Sequence, residues 1–235
     1  MSKTIYTIGY ATKDIDSFVK CLKKNNVTCL IDVRSSPFSK TFPMFDKANL
    51  KATLNANDIV YAHFGEEFGA RRDENEAYAS RYTIKGELKN QVWFDKVYEL
   101  PLFQKGVSRT LNAISQGFNV CFMCSEKHPV DCHRFWMVAY YFKTHLEDFD
   151  VINIITEDEN QSFEDVINQV ELDKENKKFY KEHDELNSFS LIEMPVSGWV
   201  QWWDDFFKNS KPIAEKKHSY SNIRIGYVRG EEEHD

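Results

Sequence analysis

Two stretches of this chain, Val27 to Val33 and Phe118 to Met123, are apolar at nearly every position instead of at every second one. A strand of that kind has both faces covered, as strands inside a parallel sheet do. Parallel neighbours need crossover connections, and helical spacing does follow the strand-like runs. Thr4 to Gly9 reads as the first strand. Behind it Asp14 can cap a helix whose Ile15, Phe18, Val19 and Leu22 keep three–four spacing. Val27–Val33 is the second strand, Ile59–Phe64 the third, Phe118–Cys124 the fourth and Val151–Ile155 the fifth. Helices are expected over 91–99 and 102–115, split by Pro101, and from Cys132 or His133 to Leu146. Asp46 is expected to cap a short helix carrying Leu50 and Leu54. The predicted fold is therefore α/β: a mostly parallel central sheet of about five strands with helices on both faces.

This pattern fills residues 1–157, taken as the core domain, and leaves 158–235 as a C-terminal extension. The extension opens with a charged helical segment, about 161–186. Further on, Trp199, Trp202, Trp203, Phe206 and Phe207 fall on one helical face. Such a face is expected to pack on the core or on a twin subunit, giving a homodimer. A base-stacking role fits it less well, because stacking platforms come with basic residues. The polar stretch 65–90 reads as one long loop, a length found in functional or mobile segments.

Composition narrows the function classes. Apolar residues make up 42% of the chain, enough for a real core. The net charge of -7 argues against sequence-blind binding to long nucleic acid, which rests on many Lys/Arg–phosphate contacts. No apolar run approaches the roughly 18 residues of a membrane span. The opening residues read directly as a strand with no leader pattern, and the cysteine count of 5 is odd. A cytoplasmic, reducing environment with no membrane contact is expected.

Chemistry concentrates after the fourth strand. Between Cys124 and Arg134 lie two thiols, a carboxylate (Glu126), two imidazoles (His128, His133) and a guanidinium. A thiol at a strand's C-terminal end, before a helix, is placed to become a nucleophilic or redox thiolate, although a cysteine there can equally be a small buried apolar residue. Cys132 could form a reversible disulfide with Cys124, share a metal with it and His128 or His133, or be only a neighbour. Cys121 completes a C-x-x-C with Cys124, but residues three apart on a strand face opposite ways, and no second such pair exists. No metal and no cofactor is therefore implied. His133 and Arg134 favour a phosphate or carboxylate ligand; Arg134 could instead pair internally with Glu126 or Asp32. Glu126 is a candidate general base or orienting group. Asp32 and Arg34 stand at the C-terminal edge of the second strand, where open sheets take ligands. Tyr10 and Thr7 face the same edge, and Arg71 or Arg72, after Gly69, could close over an anion or remain solvated.

Taken together, Thr7-Ile8-Gly9-Tyr10, Ile31-Asp32-Val33-Arg34, Pro37, Phe45, Gly69 with Arg71, and Cys124-x-Glu126 followed by Cys132-His133-Arg134 resemble the family called domain of unknown function 488 over about residues 4 to 155. The resemblance implies an α/β fold with these motifs gathered at one site, and it singles out Arg34, Cys124, Glu126, Cys132, His133 and Arg134. Asn153 stands where many members carry a histidine. A fainter echo of rhodanese-like domains around Leu30–Arg34 lacks their catalytic loop, and Val130 takes the place of the arginine that cysteine-dependent phosphatases need.

The expected function is an enzyme with Cys124, Glu126, Cys132 and His133 as its reacting groups. Arg34, Asp32, Arg71, Arg134 and Tyr10 would hold a small anionic or nucleotide ligand, including a flipped nucleic-acid base. The alternatives are a binding module for the same ligands without turnover, and a scaffold assembled through the tail.

Overall fold

A computed structural model describes residues 2–82, 88–175 and 226–228. The strands of the central sheet are β1 (Lys3–Gly9), β2 (Cys29–Asp32), β3 (Val60–His63), β6 (Val120–Cys124), β7 (Phe149–Ile154) and β8 (Asn160–Ser162), in the spatial order β3-β2-β6-β1-β7-β8. The first five run parallel, and only the edge strand β8 is antiparallel. The mostly parallel sheet thus matches expectation and carries one further strand. That strand is short and polar, and it pairs Ile154 with Asn160.

The strand order decides which helices cover which face. The chain passes from β1 to β2 to β3 in one direction, through α1 (Ile15–Lys24) and α2 (Lys47–Asn55). It returns to β6 and then crosses to β7 in the other, through α5 (Pro101–Ser115) and α6 (Tyr140–His145). Right-handed crossovers then place α1 and α2 on one face and α5 and α6 on the other. Packing agrees. Ile8, Leu30, Cys121, Met123 and Ile154 share a core with Phe18 and Leu22 of α1 and Leu50 and Leu54 of α2. Across the sheet Phe122 meets Phe142 at 5.4 Å and Phe68, of the short helix α3 (Gly65–Phe68), at 5.7 Å, while Phe68 meets Phe103 at 5.2 Å.

Local signals explain the helix ends. Asp14 caps α1 as expected, its Oδ1 accepting from the Ser17 amide at 2.7 Å. Asp46 precedes α2 but does not cap it; its Oδ1 accepts from the Ser39 amide at 2.6 Å and so ties down the proline-bounded loop. Pro101 opens α5 at a position where its missing N–H costs nothing. Helix α7 (Phe163–Glu175) starts with a reciprocal cap, Ser162 N–H to Asp165 Oδ2 at 2.8 Å and Asp165 N–H to Ser162 Oγ at 3.0 Å.

The chain divides into two compact units. One holds Met1–Gly69 and Pro101–Gln169; the other holds Ala70–Leu100 and the chain from Val170 on. In the second, β4 (Tyr78–Tyr82), β5 (Leu88–Trp93) and β9 (Gly226–Val228) form an antiparallel sheet, and α4 (Phe94–Glu99) follows β5. The polar stretch expected to be a loop is thus partly strand. The Trp199–Phe207 face lies outside the described residues. No helix among the described residues is long and apolar enough to cross a membrane.

Candidate functional site

The chain leaves β1 in one direction and the adjacent β6 in the other, so the C-terminal ends of these two strands form the switch point at which open sheets take ligands. Backbone pairing continues past both ends: the Tyr10 amide donates to Cys124 O at 3.2 Å and the Ala11 amide to Ser125 O at 2.9 Å. The loop is drawn in so closely that a Cβ on Gly9 would sit 1.7 Å from Glu126 O. Only glycine fits there.

Alternation along β6 sends Cys121 and Met123 into the α1–α2 core and turns Cys124 to the opposite face. Cys121 takes no part in the site, as its spacing predicts. The loop then folds back through a tight turn at Pro129–Asp131, held by Trp136 Nε1 donating to Val130 O at 2.7 Å. Wide π-type turns over Arg134–Ala139 lead into α6, a local geometry frequent at functional sites.

This fold gathers the expected chemistry. Cys132 Sγ donates to Glu126 Oε2 at 2.8 Å, and Ser125 Oγ donates to Glu126 Oε1 at 3.0 Å. His133 Nδ1 lies 3.8 Å from Cys124 Sγ and 3.9 Å from Cys132 Sγ. Its other nitrogen, Nε2, contacts Val33 O at 3.1 Å. A carbonyl only accepts, so Nε2 carries a proton there and Nδ1 is the nitrogen turned to the two sulfurs. The ligand-type atoms of Cys124, Glu126, Cys132 and His133 all lie within 4.8 Å of one another.

The electrostatics follow from burial and crowding. Burial pushes the Glu126 carboxyl up, but His133 and hydrogen bonds from Cys132 and Cys124 outweigh it and hold the group below its ordinary value. Burial, reinforced by Cys124 and Glu126, lifts the Cys132 thiol well above its usual range. Burial pulls His133 down, yet Cys132, Glu126 and the Val33 carbonyl leave it above its ordinary value. Arg134 is fully buried and pairs with neither of the carboxylates expected for it. It donates from Nη1 to Glu126 O at 2.7 Å and from Nη2 to Lys127 O at 3.2 Å, and its buried Nε has no hydrogen-bond partner.

A second polar group lies along the same rim, toward the α1–α2 side. Arg34 grips Asp32 with two bonds, Nε to Oδ1 at 2.9 Å and Nη2 to Oδ2 at 2.7 Å, and Nη2 also reaches Phe45 O at 2.8 Å. Tyr61 donates its hydroxyl to Asp32 Oδ2 at 2.7 Å; burial and then Asp32 push that phenol far above its usual range. The guanidinium lies 5.2 Å from the ring centre of Tyr10, which stacks on Phe45. Arg34 Nη1 is buried without a hydrogen-bond partner. Val33 links the two groups, because its carbonyl holds His133 and its neighbours in sequence are Asp32 and Arg34.

Arg71 is exposed and belongs to the unit that begins at Ala70, where Arg72 is buried and paired with Glu74 at 2.5 Å. His128 is exposed and outside the cluster. Asn153, at the departure from the family pattern, accepts from Thr7 Oγ1 at 2.7 Å in a buried pair. Tyr61, Ser125 and the Val33 carbonyl were not foreseen. Tyr61 carried one signal, since a tyrosine inside a strand with an apolar body and a buried tip needs a partner for its hydroxyl.

Residues 14–141, more than half of the chain and the stretch that supplies every member of the cluster, match the family described as "Domain of unknown function DUF488". Neither the curated proteins nor the solved structures contain a match. By that match the chain is a member of the DUF488 family.

Proposed function

We propose that this protein is an enzyme acting on a compact anionic substrate, phosphate-bearing or derived from a nucleotide, at the C-terminal rim of its parallel sheet. The observation that carries this reading is the aim of His133: one nitrogen is pinned by Val33 O, and the other faces Cys124 Sγ at 3.8 Å and Cys132 Sγ at 3.9 Å. A sulfur beside an oriented imidazole is the arrangement that makes a thiol nucleophilic. In this reading Cys124 supplies the attacking sulfur, His133 takes up its proton, and Glu126, partly exposed and kept ionised, handles the proton of the second thiol or of the substrate. The unpartnered N–H groups of Arg34 and Arg134 support an anion as the ligand, because a buried guanidinium donor without an acceptor is costly until one arrives.

The test is a thermal-shift screen of nucleotides and phosphosugars, followed by product analysis on every compound that stabilises the protein. Conversion of the stabilising compound, abolished by Cys124→Ala with binding retained, supports the enzyme.

Recovery of the ligand unchanged supports the second reading, a binding module for the same class of anion. One observation favours that module: Cys124 is only 3% exposed.

A further inference from the structure

We propose that Cys124, Cys132, His133 and Glu126 form a binding site for one zinc ion, with the two sulfurs and His133 Nδ1 as its firm ligands and Glu126 as an exchangeable fourth. This rests on the enzyme reading for the location of the reacting groups and revises one role in it: with the ion bound, the metal and not His133 displaces the Cys124 proton. The ion can be tested without any turnover.

The donor set is that of a tetrahedral N/S/O centre. Zn–S bonds of about 2.3 Å and Zn–N and Zn–O bonds of about 2.0–2.2 Å put neighbouring ligand atoms roughly 3.3–3.8 Å apart. His133 Nδ1 already stands 3.8 and 3.9 Å from the two sulfurs. The widest separation in the set, within 4.8 Å, has to close by about 1 Å to reach that geometry. The Cys132–Glu126 contact, 2.8 Å as a thiol-to-carboxylate hydrogen bond, has to lengthen once the thiol proton leaves.

Three features outside the donor atoms favour the site. The Val33 carbonyl fixes the histidine with Nε2 protonated and Nδ1 toward the metal, as outer partners of ligating histidines do. The Arg134 amide lies 3.5 Å from Cys132 Sγ, where it would support a thiolate. Charge also balances. Two thiolates and one carboxylate around a divalent ion leave one negative charge, and Arg134, buried beside them without a carboxylate hydrogen bond, carries one positive.

Metal coordination is a general way to hold a cysteine sulfur as thiolate, and the ion would do so at Cys124 and Cys132. The ion displaces the protons of Cys124 and Cys132 on binding, so about two protons leave for each ion taken up. Glu126, the one partly exposed ligand, is the position an anionic substrate would take over.

The experiment uses the full chain, purified reduced and without chelator. Zinc is measured by mass spectrometry of the elements. The metal-free protein is then titrated with Co2+ while the visible spectrum and proton release are followed. The expected result is close to one zinc per chain, tetrahedral cobalt bands with sulfur-to-cobalt charge transfer, and about two protons released per ion. Cys132→Ser and His133→Gln should each weaken cobalt binding at least tenfold, and Glu126→Gln should weaken it less while keeping the charge-transfer band. Circular dichroism checks that each variant folds. Absence of both retained zinc and thiolate–cobalt bands in the unmutated protein overturns the site, as does a cobalt spectrum without sulfur ligation. Turnover by a protein that binds neither zinc nor cobalt overturns the site and leaves the enzyme standing. A zinc-loaded protein that converts nothing keeps the site and removes the enzyme.

Discussion

Two polar groups share one rim of the sheet and are built on opposite plans. Around Asp32, opposite charges satisfy one another: Arg34 holds both carboxylate oxygens, Tyr61 adds a third bond, and Phe45 O takes a remaining guanidinium proton. Around His133 no arginine among the described residues holds the carboxylate. Two thiols and an ionised carboxylate crowd one imidazole nitrogen, while the nearby guanidinium of Arg134 donates to the carbonyls of Glu126 and Lys127. The first group resembles a fitted buried ion pair, and the second gathers ligand-type atoms within 4.8 Å of one another. Two arginines that look equivalent in sequence are thus held for different ends.

The contrast predicts that the first group bears mainly on stability, with Arg34 Nη1 left for the anion, and the second on chemistry. Breaking the buried pair should have the largest effect on folding: Arg34→Ala or Asp32→Ala should cost about 3–5 kcal/mol, read by urea denaturation. Replacing both partners with apolar residues of similar size should recover much of that loss. Next comes Gly9→Ala. Its added carbon would meet the Glu126 carbonyl, so about 3 kcal/mol is expected, or a displaced loop that separates Glu126 from Cys132. Tyr61→Phe leaves the ion pair but removes one bond to a charged carboxylate, for about 1.5–3 kcal/mol. By contrast Cys124→Ser should cost metal-free stability about 1–2 kcal/mol, because a hydroxyl replaces a buried sulfur, while abolishing turnover. A large stability loss there would blur the distinction between the groups.

The smallest effect lies away from the rim. Asp14→Ala should lower the melting temperature slightly at neutral pH by removing the α1 cap. Hydrogen bonds from Ser17 hold the folded-state value of Asp14 below that of the unfolded chain. The stabilisation is therefore complete above the unfolded value and fades as pH falls through the folded one, so parent and variant should converge in acid.

Much of the architecture is legible in the chain because burial on both faces leaves a direct mark. Val27–Val33 and Phe118–Cys124 announce central parallel strands, and the helical spacing after Asp14 announces α1. The edge strand β8, Asn160–Ser162, has no apolar residue to announce it. Likewise β4 and β5 fall in a polar stretch whose pairing has no clear local pattern. At the site, the spacing of Cys124, Glu126, Cys132 and His133 suggested convergence, and the loop brings them together. The Asp32–Arg34 pairing could also have been read, since residues two apart on a strand project to the same side. The partner of His133 could not, because a backbone carbonyl has no signature in sequence and only the fold brings Val33 to it.

The proposed activation of Cys124 by His133 is tested most directly by the rate at which iodoacetamide labels each cysteine. In the native, reduced, chelator-treated protein Cys124 should be labelled well ahead of Cys21, Cys29, Cys121 and Cys132. His133→Gln should slow it at least tenfold, and added zinc should protect it. Labelling of Cys124 no faster than of the core cysteine Cys21, or a rate that His133→Gln leaves unchanged, would contradict the account.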